Sequence, residues 1–188
     1  MNLVSLFKKY KITVDPKFVL DRRSESHRHY HNMNHLNDLI SQINEDYADG
    51  RINEIEREKL TLTALFHDLV YEADRNDNEE RSADIFYRFC LEQYNVDLVE
   101  VKQMILDTKN HVPCTPLSQR FIDYDMSICE RNFDELLEWE NGIREEYSKF
   151  SNEEYKSSRI KFLESILDKY PTNMDNLLDL INWVKSNY

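Results

Sequence analysis

Glycine is almost missing from this chain of 188 residues: only Gly50 and Gly142 occur. Glycine-rich phosphate loops and dinucleotide fingerprints need several glycines, because the backbone must come close to phosphate, so both are excluded. Tight strand turns also draw on glycine, so its scarcity favours helices over sheets. Cysteine is sparse as well. Cys90, Cys114 and Cys129 are odd in number and form no CxxC pair. That pattern argues for a reducing, cytoplasmic setting with buried thiols and against a disulfide framework. No apolar run approaches the about 18 residues a membrane helix needs. At Met1 to Tyr10 the apolar residues come before Lys8 and Lys9, the reverse of a secretory leader, and the segment is expected to be a helix packed on the domain.

Positive charge is in deficit: the formal net charge is -12. Such a chain is a poor partner for an extended nucleic-acid backbone, which rewards clustered cations. The charge is uneven. Met1 to His31 holds seven Lys or Arg against three acids, enough to steer a small anion locally. Asp134 to Glu154 holds eight acids against two bases and reads as a solvated face. Hydrophobic residues at 40% and aromatics at 12% are ordinary for a folded domain.

Helical spacing of apolar residues runs through most of the chain. Asp15-Pro16 reads as a cap followed by proline in the first turn. A helix is expected from about His27 to Tyr47, ending near Gly50. Asn53 with Glu56 and Ser151 with Glu154 have the spacing of capping boxes. Further helices are expected from Asp77 to about Tyr94, from Asp97 to before Pro113, from Ser118 towards Trp139, and from Asn173 to Tyr188. The economical architecture is one all-α domain over residues 1–188.

The chemistry-bearing residues are histidines and aspartates. His27, His31 and His35 are four apart, which on a continuous helix puts them along one face. His67-Asp68 closes an apolar helix, and Asp123-Tyr124-Asp125 lies in an amphipathic segment. Neutral imidazole with carboxylate suits a divalent transition ion with open positions. From spacing alone the same residues also read as satisfied core histidines and solvated acids.

Several segments resemble the HD superfamily, and most closely its small bacterial metal-dependent phosphohydrolases. They are Ser24-Glu25-Ser26-His27-Arg28-His29-Tyr30-His31-Asn32 with His35, then Phe66-His67-Asp68-Leu69-Val70-Tyr71, then Asp77-Asn78-Glu79-Glu80-Arg81-Ser82-Ala83. Thr108 with His111, Asp123-Tyr124-Asp125-Met126-Ser127, and Ile143-Arg144-Glu145-Glu146-Tyr147 follow in the same order. The likeness covers most of residues 20–172 and implies an HD-type helical bundle, with the C-terminal helix packing on it. It implies that His35, His67, Asp68 and Asp125 hold a divalent ion: Mn, Co, Ni, Fe, Zn or Mg. The two imidazoles argue against Mg alone. The family's last ligand precedes a hydrophobic residue on the inner face, so the resemblance implies Asp125, which precedes Met126, rather than Asp123. Glu130 stands where the group usually has glycine, a departure that touches helix geometry and no ligand.

The implied activity is hydrolysis of a small phosphate ester, a nucleotide among the candidates, by a metal-activated water. Asp68 would ligate the ion and orient that water, with Glu72 and Glu79 as acid, base or supports for a ligating histidine; for the latter two, solvated roles compete. Arg28, His31 and His111 are candidates for binding the substrate. Arg28 reads equally as a helix ion pair, His31 as a buried structural histidine, and His111 as a ligand to a second ion. A homo-oligomer is compatible with the sequence. Two other functions stay open: a di-iron oxygenase, and a non-catalytic metal-containing nucleotide-binding or interaction protein using the acidic stretch.

Overall fold

Side-chain caps explain where most helices begin. In the computed structural model, which describes all 188 residues, Asn53 accepts from Glu56 N (3.1 Å) while the Glu56 carboxylate accepts from Asn53 N (2.8 Å). Asn132 with Glu135 and Ser151 with Glu154 form the same reciprocal box. Asp15 accepts from Lys17 N ahead of Pro16. The result is ten α-helices and three short 3-10 turns: α1 Leu3–Lys9, α2 Pro16–Arg22, α3 Met33–Ala48, α4 Glu54–Phe66, α5 Asn78–Phe89, α6 Val96–Asp107, α7 Pro116–Asp125, α8 Phe133–Glu146, α9 Asn152–Ile166 and α10 Met174–Asn187. The only extended pairing is one isolated antiparallel bridge, Ile12 with Cys90. The chain is all-α, and no helix is long and apolar enough to cross a membrane.

Four expectations need correction. Residues 27–32 do not join α3. Asn32 caps that helix by accepting from Asn34 N (2.8 Å), so His27 and His31 lie before its first turn and share no helical face with His35. The helix expected from Ser118 to Trp139 is two helices, because the Asn132 box starts a new one after the 3-10 turn Ser127–Glu130. α5 stops at Phe89 and leaves Tyr94 exposed. All three cysteines are free, but Cys114 is exposed; only Cys90 and Cys129 are buried.

The helices group into two units. The first comprises Met1–Ser26 and His31–Asp125, hence α1 to α7. Its core is built on Phe66, whose ring lies 5.8 Å from Phe7 and 4.9 Å from Phe86, with Leu39, Ile43, Leu60, Val101 and Phe121 fully buried around it. Burying each such side chain is worth about 1.5–3 kcal/mol, enough to hold the helix ends in fixed places. The second unit comprises His27–Tyr30 and Met126–Tyr188, hence α8 to α10. Fully buried Glu140 accepts there from Tyr155 Oη (2.7 Å) and Arg159 Nε (2.6 Å), and the Arg159 guanidinium lies 4.1 Å from the Trp139 ring. Glu146 Oε1 accepts from His29 N (2.9 Å) and Tyr30 N (2.8 Å). Gly142 permits that approach, since a Cβ there would stand 3.2 Å from Tyr30 Cβ.

Candidate metal centre

Helix ends deliver the clustered side chains. His35 is the third residue of α3, His67 caps the C-terminus of α4, Asp68 follows it, and Asp125 is the last residue of α7. The carbonyl ends of α4 and α7 carry partial negative charge, which favours a cation nearby. The His67 backbone N–H is spent on Thr63 O (2.8 Å), so its ring is aimed by the last turn of α4. Nδ1 of the ring lies 3.1 Å from Ala64 O. A carbonyl only accepts, so the pairing assigns a proton to Nδ1 and turns Nε2 towards the cluster.

Around Nε2 of His67 stand Asp68 Oδ2 at 2.9 Å and Asp125 Oδ1 at 3.6 Å. Nε2 of His35 is 3.1 Å from Asp125 Oδ1 and 3.9 Å from Asp68 Oδ2. His35, His67 and Asp68 can each offer one atom such that all lie within 4.8 Å of one another. Atoms bound to one ion at about 2.1 Å lie at most about 4.2 Å apart, so these nitrogen–oxygen distances fit a shared cation. Nε2 of His67, like Nε2 of His35, is buried with no well-aligned hydrogen-bond partner and meets only the charges of the two carboxylates. A cation would satisfy it.

Charge in the cluster is strongly coupled to burial. Burial alone would lower the pKa of His67, but Asp68 and Asp125 outweigh it and push it up to about 9. For His35 burial dominates and the pKa falls, opposed by Asp125 and Asp68. Burial would raise both carboxyls, yet His67, His31 and Arg23 hold Asp68 well below the ordinary range, and His35 with His67 do the same for Asp125.

The remaining expected residues separate. Asp123 is exposed and accepts from Gln119 Nε2 (2.7 Å), whereas Asp125 reaches the imidazoles. The His31 ring lies 4.2 Å from Tyr71 and 5.8 Å from His35, so it borders the centre without belonging to a helix. His111, with φ of 51°, brings Nε2 to 4.0 Å from Asp125 Oδ2. Glu79 is half-buried, and burial together with the Asp68 charge raises its pKa. Glu72 is exposed, and Arg28 is buried within the second unit.

Arg23 is the residue that sequence reasoning passed over. Its side chain is fully buried; Nη1 donates to Asp68 Oδ2 (3.0 Å) and Nη2 to Ala64 O (2.9 Å). The guanidinium thus braces the Asp68 carboxylate and shares the carbonyl that orients His67. Nothing in the sequence flagged it, since Arg22-Arg23 at a helix end reads as surface charge. No family model, curated protein or solved structure matches the chain.

Proposed function

We propose that this protein is a metal-dependent phosphohydrolase of the HD superfamily, acting on a small phosphate ester. The reading is carried by one observation: two imidazoles and two carboxylates, from the ends of three helices, converge at cation-sharing distances around a buried nitrogen without a hydrogen bond. Bound there, a divalent ion would act as a Lewis acid, making a water acidic enough to serve as nucleophile near neutral pH and offsetting charge on the phosphoryl oxygens. The mixed nitrogen and oxygen donors suit Mn, Fe, Co, Ni or Zn better than Mg alone.

The chain's own groups divide the remaining work. His67, with His31 and Arg23, keeps Asp68 ionised, and Arg23 holds it in place, so that its carboxylate can orient the attacking water. Glu79 holds its proton more tightly than an exposed carboxyl and feels the charge of Asp68, which suits it to protonate the leaving oxygen. His31, whose ring borders His35 and Tyr71, would donate to a phosphoryl oxygen.

The test is release of inorganic phosphate from a panel of nucleotides and sugar phosphates with added Mn, Co or Ni. His67→Ala and Asp68→Ala are each expected to reduce turnover by at least about 100-fold and to lose bound metal. Normal turnover in these variants would refute the assignment. The approach of His111 to Asp125 favours one second reading, a two-ion oxygenase. Two irons per chain after aerobic purification, with a visible absorption band, would select it.

A further inference from the structure

A cleft of about 280 Å³ opens in the first unit beside the proposed centre. Its wall is the segment that directly follows Asp68: Leu69, Val70, Tyr71 and Glu72 line it. That wall is pinned to α5. Val70 N donates to the fully buried Ser82 hydroxyl (3.0 Å), Glu72 N donates to Asn78 Oδ1 (3.2 Å), and Asn78 Nδ2 returns a bond to Glu72 O (2.9 Å). Tyr71 belongs to the cleft and its ring also lies 4.2 Å from that of His31, which in turn lies 5.8 Å from His35. The cleft is therefore preformed, and Tyr71 and His31 link it to the proposed centre.

Three arginines line it, and they are not equivalent. Arg22 is engaged by Glu25 (2.7 Å), and Arg75 is held through two bonds by Asp77 (2.7 Å each). Arg81, on the first turn of α5, makes no ion pair. The Glu72 carboxylate is likewise without a side-chain partner. Arg81 as cation and Glu72 as acceptor, with Asp74 also at the rim and the apolar floor of Leu69, Val70 and Ile85 beneath, suit a group that carries both an anion and hydroxyls. The volume falls just under the roughly 300–1,000 Å³ typical of ligand pockets, too little for a sugar and a base together.

We propose that this cleft recognises the non-reacting end of the substrate and that this end is a small hydroxyl-bearing anion, as in a sugar bisphosphate. Arg81 would pair with the second phosphate and Glu72 would accept from sugar hydroxyls, while the phosphoryl group to be cleaved sits at the histidine–aspartate centre. The inference rests on the phosphohydrolase reading above.

Calorimetric titration with fructose 1,6-bisphosphate, fructose 6-phosphate, AMP and inorganic phosphate tests it, using the metal-loaded wild type, Arg81→Gln and His67→Ala. The bisphosphate is expected to bind roughly tenfold tighter than the monophosphate, the gain from one added charge-assisted contact. Arg81→Gln is expected to erase that preference and leave the monophosphate affinity within about twofold. His67→Ala is expected to weaken every ligand while keeping the preference. An unchanged preference in Arg81→Gln overturns the proposal, as does AMP binding tighter than the bisphosphate, or no probe binding at millimolar concentration. If Arg81→Gln erases the preference but His67→Ala leaves all affinities intact, the cleft stands and the metal-centre reading fails.

Discussion

Two side chains decide the chemistry of the centre, and both can be tested singly. His67 carries a proton on Nδ1 through Ala64 O, and between two carboxylates its other nitrogen also holds a proton up to about pH 9 in the metal-free protein. A cation entering the cluster must displace that second proton. Apparent metal affinity is therefore expected to rise with pH between about 6 and 9, with proton release visible as a buffer-dependent heat in calorimetry. A pH-independent affinity over that range would contradict the placement of His67. Arg23 is the second case. Removing a buried guanidinium that braces a carboxylate typically costs about 3–5 kcal/mol. Arg23→Met is expected to destabilise the fold and loosen Asp68. Arg23→Lys, which keeps charge but loses the fork, is expected to keep most stability while lowering metal affinity by about tenfold. Chemical denaturation and metal titration separate these two effects.

Between elements, the important join is that of α3 to α7, since they carry His35 and Asp125. Asp46, buried near the end of α3, accepts from Arg120 and from Tyr124 Oη on α7, and also pairs with Arg51 (2.9 Å). Asp46→Ala strands these donors and is expected to cost about 2–4 kcal/mol and to weaken metal binding, although it touches no ligand. The α6–α7 connection is held similarly. Asp107 accepts from Gln103 Nε2 (2.8 Å), Cys114 N (3.0 Å) and Ser118 Oγ (2.5 Å), bracing the loop that carries His111. Burial would raise its pKa, but these bonds outweigh it and lower it. A carboxyl whose folded pKa is depressed stabilises above its unfolded value of about 3.9 and loses that contribution as pH falls through the folded value. The melting-temperature advantage of wild type over Asp107→Asn is thus expected to be full at pH 6 and to shrink below about pH 4.

Much of this scale was legible in the sequence. Reciprocal caps are local, so Asn53 with Glu56 and Ser151 with Glu154 showed their helix starts directly. The misplaced helix starts were equally local in cause. Asn32 and Asn132 are caps embedded in apolar-periodic stretches, and periodicity alone ran the helices through them. The buried partners Arg23 and Asp46 were hidden because their roles depend on residues about 45 and about 74–78 positions away.

At the level of the whole molecule, the first unit buries its own aromatic core around Phe66, so its helices are expected to fold without metal. Chelation is expected to leave the far-ultraviolet circular dichroism unchanged while lowering the melting temperature. The difference should approach the about 2.7 kcal/mol that a ligand at a hundredfold its dissociation constant supplies. A chain that unfolds on chelation would instead be held together by its ion. The net charge of -12 leaves the long-range field favourable for cations and unfavourable for extended polyanions. The most direct measurement is anomalous diffraction from crystals grown with Mn, Co or Zn. The account predicts one peak within about 2.0–2.3 Å of His35 Nε2, His67 Nε2 and a carboxylate oxygen from each of Asp68 and Asp125. A saturated crystal with no peak there, or with the ion bound to other residues, contradicts it.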